Sequence, residues 1–536
     1  MSDVLAASDR GLPVGAAWVS TATYPVCFPY DGSPVGEAPL GAPELARQAL
    51  DHAVSVRAEV AALPSRIRRS VLLTVGEELQ REREELTDLL VLETGKPLAD
   101  CRTECDRAIL TVHTAAEEVS RIHGETVPLD LSASGAGLTG FWIRRPIGVV
   151  IGITGFNYPL LLAAHKLAPA FAAGCPVICK PAPQAPLTVL RLAGMFRQAL
   201  EQVGAPPGAV QVVTGDAEVG SALVTDRRVG AISFTGSAAV GHRIARDAAP
   251  TKVLLELGSN SALIVTADAD LDAAALAVAR GGFYASGQAC ISVQRVLVDK
   301  RVAGQFLKAL IPRVAALRVG DPRLESTNVS ALIDGAAADR ITSWIGRAVK
   351  AGARSLHGGS ALTPTVLLDV PDGLDIWDEE VFGPVICIRT VDGFGAAIAT
   401  ANASRYGLHA SVFTNSLDTA LRAINELEVG GVVINEIPGF RADNMPYGGV
   451  KDSGIGREGP RFAIEEFTVS GWLSSDLSAR KRRSRDQRRR RPKAEAQFQE
   501  PLRPDRPPGA RRGGGFRYRP RDGSGALRLW RPRMLR

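Results

Sequence analysis

The sequence predicts an α/β protein of two doubly wound α/β domains, with a small β element and a disordered, basic C-terminal tail. Three observations predict it. Short apolar runs alternate with helix-like stretches across residues 147–257 and again across about 262–435, the pattern of βαβ units around a parallel sheet. A stretch rich in Ala, Leu, Glu and Arg, residues 42–125, has apolar residues at helical spacing and precedes the first alternating region. Composition then breaks sharply near residue 476, where Arg, Pro and Gly take over.

The first alternating region places strands at Gly148–Ile153, Pro176–Cys179, Ala209–Val213, Ala231–Phe234 and Val253–Leu257. Helices fall between them near 160–173, 187–203, 216–224 and 237–248. The second region has apolar runs at Ala262–Val265, Arg295–Val298, Val385–Ile388, Ser411–Phe413 and Gly431–Ile434. Residues 126–146 are polar and Gly-rich before reaching FWIRRP, which reads as a hairpin leading away from the body. No short solenoid-type repeat interrupts this organisation.

Composition narrows the class. The 536 residues are 45% apolar and 22% charged, ordinary for a globular chain and long enough for a large core. Of 63 basic and 57 acidic residues, 21 and 6 lie in 476–536, leaving 42 and 51 to the rest. The body is therefore mildly acidic, and the net charge of +6 belongs to the tail. The tail cannot bury an apolar core, so it is expected to be disordered. It is either a nucleic-acid- or anion-binding segment or an extension with no selected role, such as a read-through of a GC-rich gene.

No apolar run approaches the ~20 residues of a membrane helix, and the N-terminus lacks a signal-peptide pattern. The seven cysteines, Cys27, Cys101, Cys105, Cys175, Cys179, Cys290 and Cys387, are an odd number and too sparse for a disulfide scaffold. The expectation is a cytoplasmic protein with reduced thiols and no metal, since no His pattern accompanies the paired cysteines.

Two G-x-G-x-x-G matches fail as dinucleotide fingerprints. Gly135–Gly140 precedes a strand instead of following one, and Gly454–Gly459 follows MPYGGVKDS, which reads as no strand. Any nucleotide site must be built otherwise.

Individual residues offer chemistry beside plainer readings. Cys290 sits in a small polar segment, where a thiolate can attack a carbonyl; a lone Cys is more often packed core. Glu256 closes the apolar strand VLLEL, as a general base or a salt-bridged structural carboxylate. Asn157 lies in the loop after the first strand, with an amide able to donate to an oxyanion or to form an Asx-turn. Lys180 ends the second strand, facing a nucleotide's ribose or phosphate, or solvent. Gly236, Ser237 and Gly241 mark a strand-to-helix turn, which either binds pyrophosphate at a helix N-terminus or is an ordinary tight turn. Arg107 and Arg441 are candidates for gripping a carboxylate or phosphonate, or else ion-pair residues.

Seven segments in order and spacing carry more than any one of these residues: ITGFNYP, ICKPAP, FTGSAAVG, LELGSN, GQACISVQR, EEVFGP and MPYGGVKDSGIGREG. Over about residues 15–473 the chain resembles the aldehyde dehydrogenase superfamily. The resemblance implies that Cys290 is the nucleophile, Glu256 the deacylation base and Asn157 an oxyanion donor with the Cys290 backbone N–H. It implies that Lys166 and Glu458 lie near the catalytic Cys, in auxiliary proton handling, and that Glu380 and Phe382 contact the nicotinamide ribose of NAD or NADP.

The family architecture implies a coenzyme domain from 1–125 and 147–257, a catalytic domain from 258–440, and a return segment, 441–465, to the coenzyme domain. An oligomerisation element would combine 126–146 with 466–475, giving a homodimer or homotetramer. Many NAD-preferring relatives carry an acidic residue where this chain has Pro183, so the repulsion that disfavours NADP is missing. The combination FNYPLLLAAHK, KPAPQAPL, ELGSNSA and CISVQR resembles a subgroup acting on small aldehydes, such as lactaldehyde or semialdehydes of phosphonate or sugar catabolism. Two rivals remain. A coenzyme-A-acylating dehydrogenase has no need of Glu256 as hydrolytic base. A catalytically idle scaffold binding nucleic acid through its tail has no need of an intact Cys290, Glu256 and Asn157.

Overall fold

The computed structural model describes residues 11–475. The disorder and nucleic-acid binding expected of 476–536 fall outside the described residues. The body is organised by a parallel sheet in the strand order Gly454–Ile455, Lys252–Glu256, Val229–Thr235, Val149–Ile153, Val177–Lys180, Val210–Val212. All its pairs are parallel except the two-residue edge strand Gly454–Ile455, which runs against Lys252–Glu256. The strands read as continuous apolar runs because helices cover both faces, which is what parallel sheets require.

The sequence-predicted elements lie within three residues of their observed ends. The helices are Pro159–Ala173, Leu187–Gln202, Ala217–Val224 and Ala238–Ala248, and four more, Pro43–Ala62, Ser65–Arg81, Arg83–Thr94 and Leu98–Glu118, fill the N-terminal stretch. The rejected motif at 454–459 needs one correction. MPYGGVKDS does contain a two-residue strand, Val450–Lys451, and Gly454 itself lies in an edge strand, paired beside Glu256. Gly454, the motif's first glycine, is held in the sheet edge and not in a strand-to-helix turn, so the rejection stands for a different reason.

A second sheet has the order Arg354–His357, Thr365–Leu368, Val385–Val391, Arg295–Asp299, Ala262–Val265, His409–Phe413, Gly431–Ile434, parallel after its first pair. Separate apolar clusters pack on its two faces, one around Trp377 and Ile345, the other around Phe306 and Phe283. A third sheet pairs Glu125–Val127, Thr139–Pro146 and Thr468–Ser475 antiparallel. The two short hairpins of Leu12–Val19 and Thr23–Pro39 have no counterpart in the sequence reading.

Register positions the site. Phe234 pairs with Ile153, Ile153 with Lys180, and Thr235 with Glu256, so these residues share one level at the carboxyl edge of the first sheet. The first strand is flanked by the second strand on one side and the fourth on the other. Chain order reverses there, and ligands of doubly wound folds bind at that crevice. Among the described residues no helix is long and apolar enough to cross a membrane, and no group of three His, Cys, Asp or Glu is placed to hold a metal ion.

Candidate active site

The helix Pro159–Ala173 sets the floor of the crevice. Pro159 supplies the favoured first-turn residue. The buried Glu104 accepts from the N–H groups of Leu160 (2.9 Å) and Leu161 (3.2 Å), and it is ion-paired with Lys96. A carboxylate is stabilised there because the first turn has unsatisfied donors and a partial positive charge. The loop before this helix is therefore anchored, and it presents Asn157 to a cavity of about 400 Å³.

That cavity is lined by Asn157, Gly236, Ser237, Glu256, Cys290, Glu380, Phe382, Arg107 and Arg441 together. Lys166, Lys180 and Gly241, also singled out in the sequence, do not line it.

Cys290 follows a strained turn. Ala285 (φ 49°), Ser286 (φ 56°) and Gly287 (φ 73°) are three consecutive left-handed residues. Asp100, from the helix Leu98–Glu118, accepts from the Ala285 N–H at 2.8 Å. Ser286 Oγ both donates to the Ser330 carbonyl (3.1 Å) and accepts from the Ser330 N–H (2.9 Å). The thiol is half-buried, 3.2 Å from the Tyr447 hydroxyl. Burial pushes its pKa up to about 11, with Glu380 and Glu256 adding to the rise and the Tyr447 hydrogen bond opposing it.

One Nδ2–H of Asn157 donates to the Gln288 carbonyl at 2.9 Å. An amide has two N–H donors. The bond fixes the amide's orientation and leaves its second N–H without a partner among the described residues, in the cavity that Cys290 also lines.

Glu256 is buried at its strand end, and its Oε2 has no hydrogen-bond partner among the described residues. Burial and the neighbouring Glu458 charge hold its carboxyl well above the ordinary carboxylate range. Glu458 behaves oppositely. Burial works to raise it, but Lys166 and Arg441 outweigh burial and hold it ionised. Lys166 Nζ donates to Thr235 Oγ1 (2.7 Å) and to Glu458 Oε1 (3.2 Å), behind the cavity wall.

Arg107 and Arg441 meet at one carboxylate. Arg107 grips Asp443 with two bonds, 3.0 and 2.7 Å. Arg441 lies 3.3 Å from Asp443 and 3.2 Å from Glu458, donates to His165 Nε2 at 3.1 Å, and stacks 3.8 Å from the Tyr447 ring. The ion-pair reading of these arginines describes them, and both also line the cavity. Burial keeps His165 neutral, so the cluster of Arg107, Arg441 and Lys166 against Asp443 and Glu458 retains one net positive charge.

The features expected of a dinucleotide site fit that group. Ser237 is the N-cap of Ala238–Ala248 with no side-chain cap bond, leaving first-turn N–H groups available to an anion. Lys180 is a buried ammonium whose hydrogen bond among the described residues is a 3.4 Å contact with the Pro181 carbonyl; burial lowers its pKa to about 8. Glu380 accepts from the Ser259 N–H at 2.9 Å, and burial raises it to about 7. A Cβ at Gly258 would stand 2.7 Å from Glu380 Oε2 and would press that carboxylate from its present position. Phe382 (φ 53°) meets Phe156 edge-on at 5.7 Å. Gly241 serves packing: the space a Cβ would take belongs to Leu257.

Sequence reading did not single out Tyr447, Asp443, His165 or Thr235. His165 and Lys166 do stand out as two polar residues inside the apolar helix PLLLAAHKLAPAFAA, a readable signal of a buried polar cluster.

Residues 18–473 match the model of the aldehyde dehydrogenase family. A 3-sulfolactaldehyde dehydrogenase from Priestia aryabhattai is 42% identical over 406 residues, 75% of this chain and 84% of the relative. A structure of aldehyde dehydrogenase 21 from Physcomitrella patens, in complex with the reaction product succinate, is 36% identical with a TM-score of 0.81, covering 85% of this chain and 95% of its own. A glyceraldehyde-3-phosphate dehydrogenase from Methanocaldococcus jannaschii, complexed with NADP, is 36% identical with a TM-score of 0.82, covering 85% and 100%. With residues 18–473 matched by the family model and its relatives alike in sequence and fold, the chain belongs to the aldehyde dehydrogenase family.

Proposed function

We propose that the chain oxidises a small aldehyde carrying an anionic group to the carboxylic acid, with NAD or NADP as co-substrate. The convergence of Cys290, Asn157 and Glu256 on one cavity carries this reading. The Cys290 thiolate attacks the carbonyl carbon. The free Asn157 N–H and the Cys290 backbone N–H hold the resulting oxyanion, where preorganised donors act most strongly. When bound, the nicotinamide supplies the hydride acceptor. Glu256 takes a proton from water, whose oxygen attacks the thioester carbon; the acid leaves and the thiolate returns. A base held above the usual carboxylate range is a stronger base once ionised, as this step needs.

Lys180, Gly236 and Ser237 hold the dinucleotide at the strand ends, and Glu380 and Phe382 hold the nicotinamide ribose. Gly241 supports that turn by letting the helix approach Leu257. Lys166 acts on Glu256 indirectly, by keeping Glu458 ionised beside it.

The anionic group is read from the cluster's single net positive charge, presented through Arg441 and Arg107. Three of the relatives agree in kind, their names carrying a sulfonate, a phosphate and a dicarboxylate product, while others are named for the uncharged lactaldehyde.

We assign the coenzyme domain to 1–125 and 147–257, with 441–465 returning to it, and the catalytic domain to 258–440. The antiparallel sheet of 126–146 and 466–475 exposes Trp472, Ile143 and Leu473. Such an apolar face supports assembly into a homodimer or homotetramer. Free cysteines support a cytoplasmic setting.

The test is nicotinamide reduction by the purified chain against neutral, carboxylate, sulfonate and phosphate aldehydes, beside Cys290→Ala. The reading requires turnover that vanishes in the variant. Turnover that survives in Cys290→Ala would refute it.

A further inference from the structure

We propose that Tyr447 is a catalytic residue of this site: its phenolic O–H donates to the Cys290 thiolate and holds the charged sulfur facing the cavity. The proposal rests on Cys290 being the nucleophile.

The geometry is that of an O–H···S bond. The hydroxyl oxygen lies 3.2 Å from Sγ, the hydroxyl's one hydrogen bond among the described residues, and Tyr447 lines the same cavity as Cys290. While the sulfur carries its proton, either group can donate, and a thiol is a weak partner both ways. Once the proton has left to bulk solvent, only the hydroxyl has a hydrogen to give. The bond then becomes charge-assisted and stronger. It therefore favours the thiolate over the thiol, which a purely packing tyrosine would not do.

Tyr447 is held for this role. Its backbone N–H donates to the Glu458 carbonyl at 3.0 Å, which ties it to the segment behind the cavity. The His409 ring meets it edge-on at 5.1 Å, and the Arg441 guanidinium covers its face at 3.8 Å. Burial, with the nearby Cys290 charge, keeps the phenol protonated, hence a donor.

The charged and titratable groups around the thiol are Glu256, Glu380, Arg441, Tyr284 and Tyr447. The two carboxyls oppose a thiolate. Arg441 favours it, but its side-chain hydrogen bonds among the described residues run to His165 and Glu458 and not to the sulfur. Tyr447 is thus the direct donor to the sulfur among these groups.

The size of the effect follows from two rules. A hydrogen bond to a charged group corresponds to about one to two pKa units of the thiol. Each unit gives ~10 times more thiolate, offset by a roughly threefold loss of nucleophilicity, for a net gain of about threefold.

The experiment uses the whole chain and its Tyr447→Phe variant, with iodoacetamide alkylation of the Cys290 peptide followed by mass spectrometry from pH 7 to 9. The Phe variant should alkylate about three- to tenfold more slowly at each pH. Its kcat/KM for aldehyde should fall by a similar factor, with coenzyme affinity unchanged. Loosened packing would speed alkylation instead, so an equal or faster rate overturns the proposal. Activity surviving in Cys290→Ala would sink the nucleophile assignment, whereas unchanged alkylation in Tyr447→Phe would sink only the tyrosine's role.

Discussion

The Lys166 ammonium lies 3.2 Å from Oε1 of Glu458, and both side chains are sealed from solvent. Glu458 stays ionised, and its charge adds to burial in raising the nearby Glu256 carboxyl, while Lys166 works the other way.

Removing one partner of a buried pair leaves an uncompensated charge, at a cost of about 3–5 kcal/mol. Lys166→Met should fall near the lower end, because Arg441 remains beside Glu458. Lys166→Met with Glu458→Gln should recover most of the loss in denaturant unfolding. Simple addition of the two single effects would show that the residues are not coupled.

Glu256 predicts a trade between stability and turnover. Its folded-state pKa lies above the unfolded value, so it lowers stability as pH rises past the ordinary carboxylate range, where only the unfolded chain ionises. Glu256→Gln cannot ionise. It should melt higher than the wild type at pH 8, with the gap closing toward pH 4. A lower melting temperature at pH 8 would contradict the neutral, under-bonded carboxyl described above.

Gly287 occupies a left-handed conformation, and a Cβ there would overlap the Gly383 carbonyl oxygen. Gly287→Ala should cost about 1–2 kcal/mol from conformation alone, more with the overlap. The displaced turn carries Cys290, and Gly383 adjoins Phe382. Activity should therefore fall further than the stability loss explains, measured as kcat/KM well below the melting temperature. Full activity in a folded Ala variant would show that the turn tolerates movement.

Arg441 predicts selectivity. Arg441→Met removes the cluster's net positive charge, so kcat/KM for aldehydes with a carboxylate or sulfonate should drop about 10- to 150-fold, the worth of a charged hydrogen bond. A neutral aldehyde of the same length should lose much less. Equal losses for both would assign Arg441 to structure alone.

Much of this fold is readable in the chain. Val149–Ile153, Val177–Lys180 and Val229–Thr235 are buried on both faces and stand out as apolar runs between turn residues. Arg354–His357 and the hairpin Thr23–Pro39 do not. One is an exposed-to-half-buried edge strand, the other carries Pro25 within it, and neither has a strong apolar period.

At the site, Cys290, Glu256 and Asn157 were legible because their segments combine unusual residue types at fixed places. Tyr447 was not, since a tyrosine in MPYGG looks the same whether its hydroxyl faces a sulfur or solvent. Asp443 was hidden for a similar reason. Its partner Arg107 is 336 residues away in sequence, and only the fold brings the two together.

The most direct measurement is the first turnover of Glu256→Gln with NAD(P) and an active aldehyde. The account predicts a burst of one reduced nicotinamide per Cys290 followed by turnover slowed about 10²–10⁴-fold, with the acyl group trapped on Cys290 and visible by mass. Steady turnover at the wild-type rate with no trapped acyl group would show that Glu256 is not the hydrolytic base. Recovery of turnover by coenzyme A, in the wild type as in the variant, would contradict hydrolysis as the natural second step.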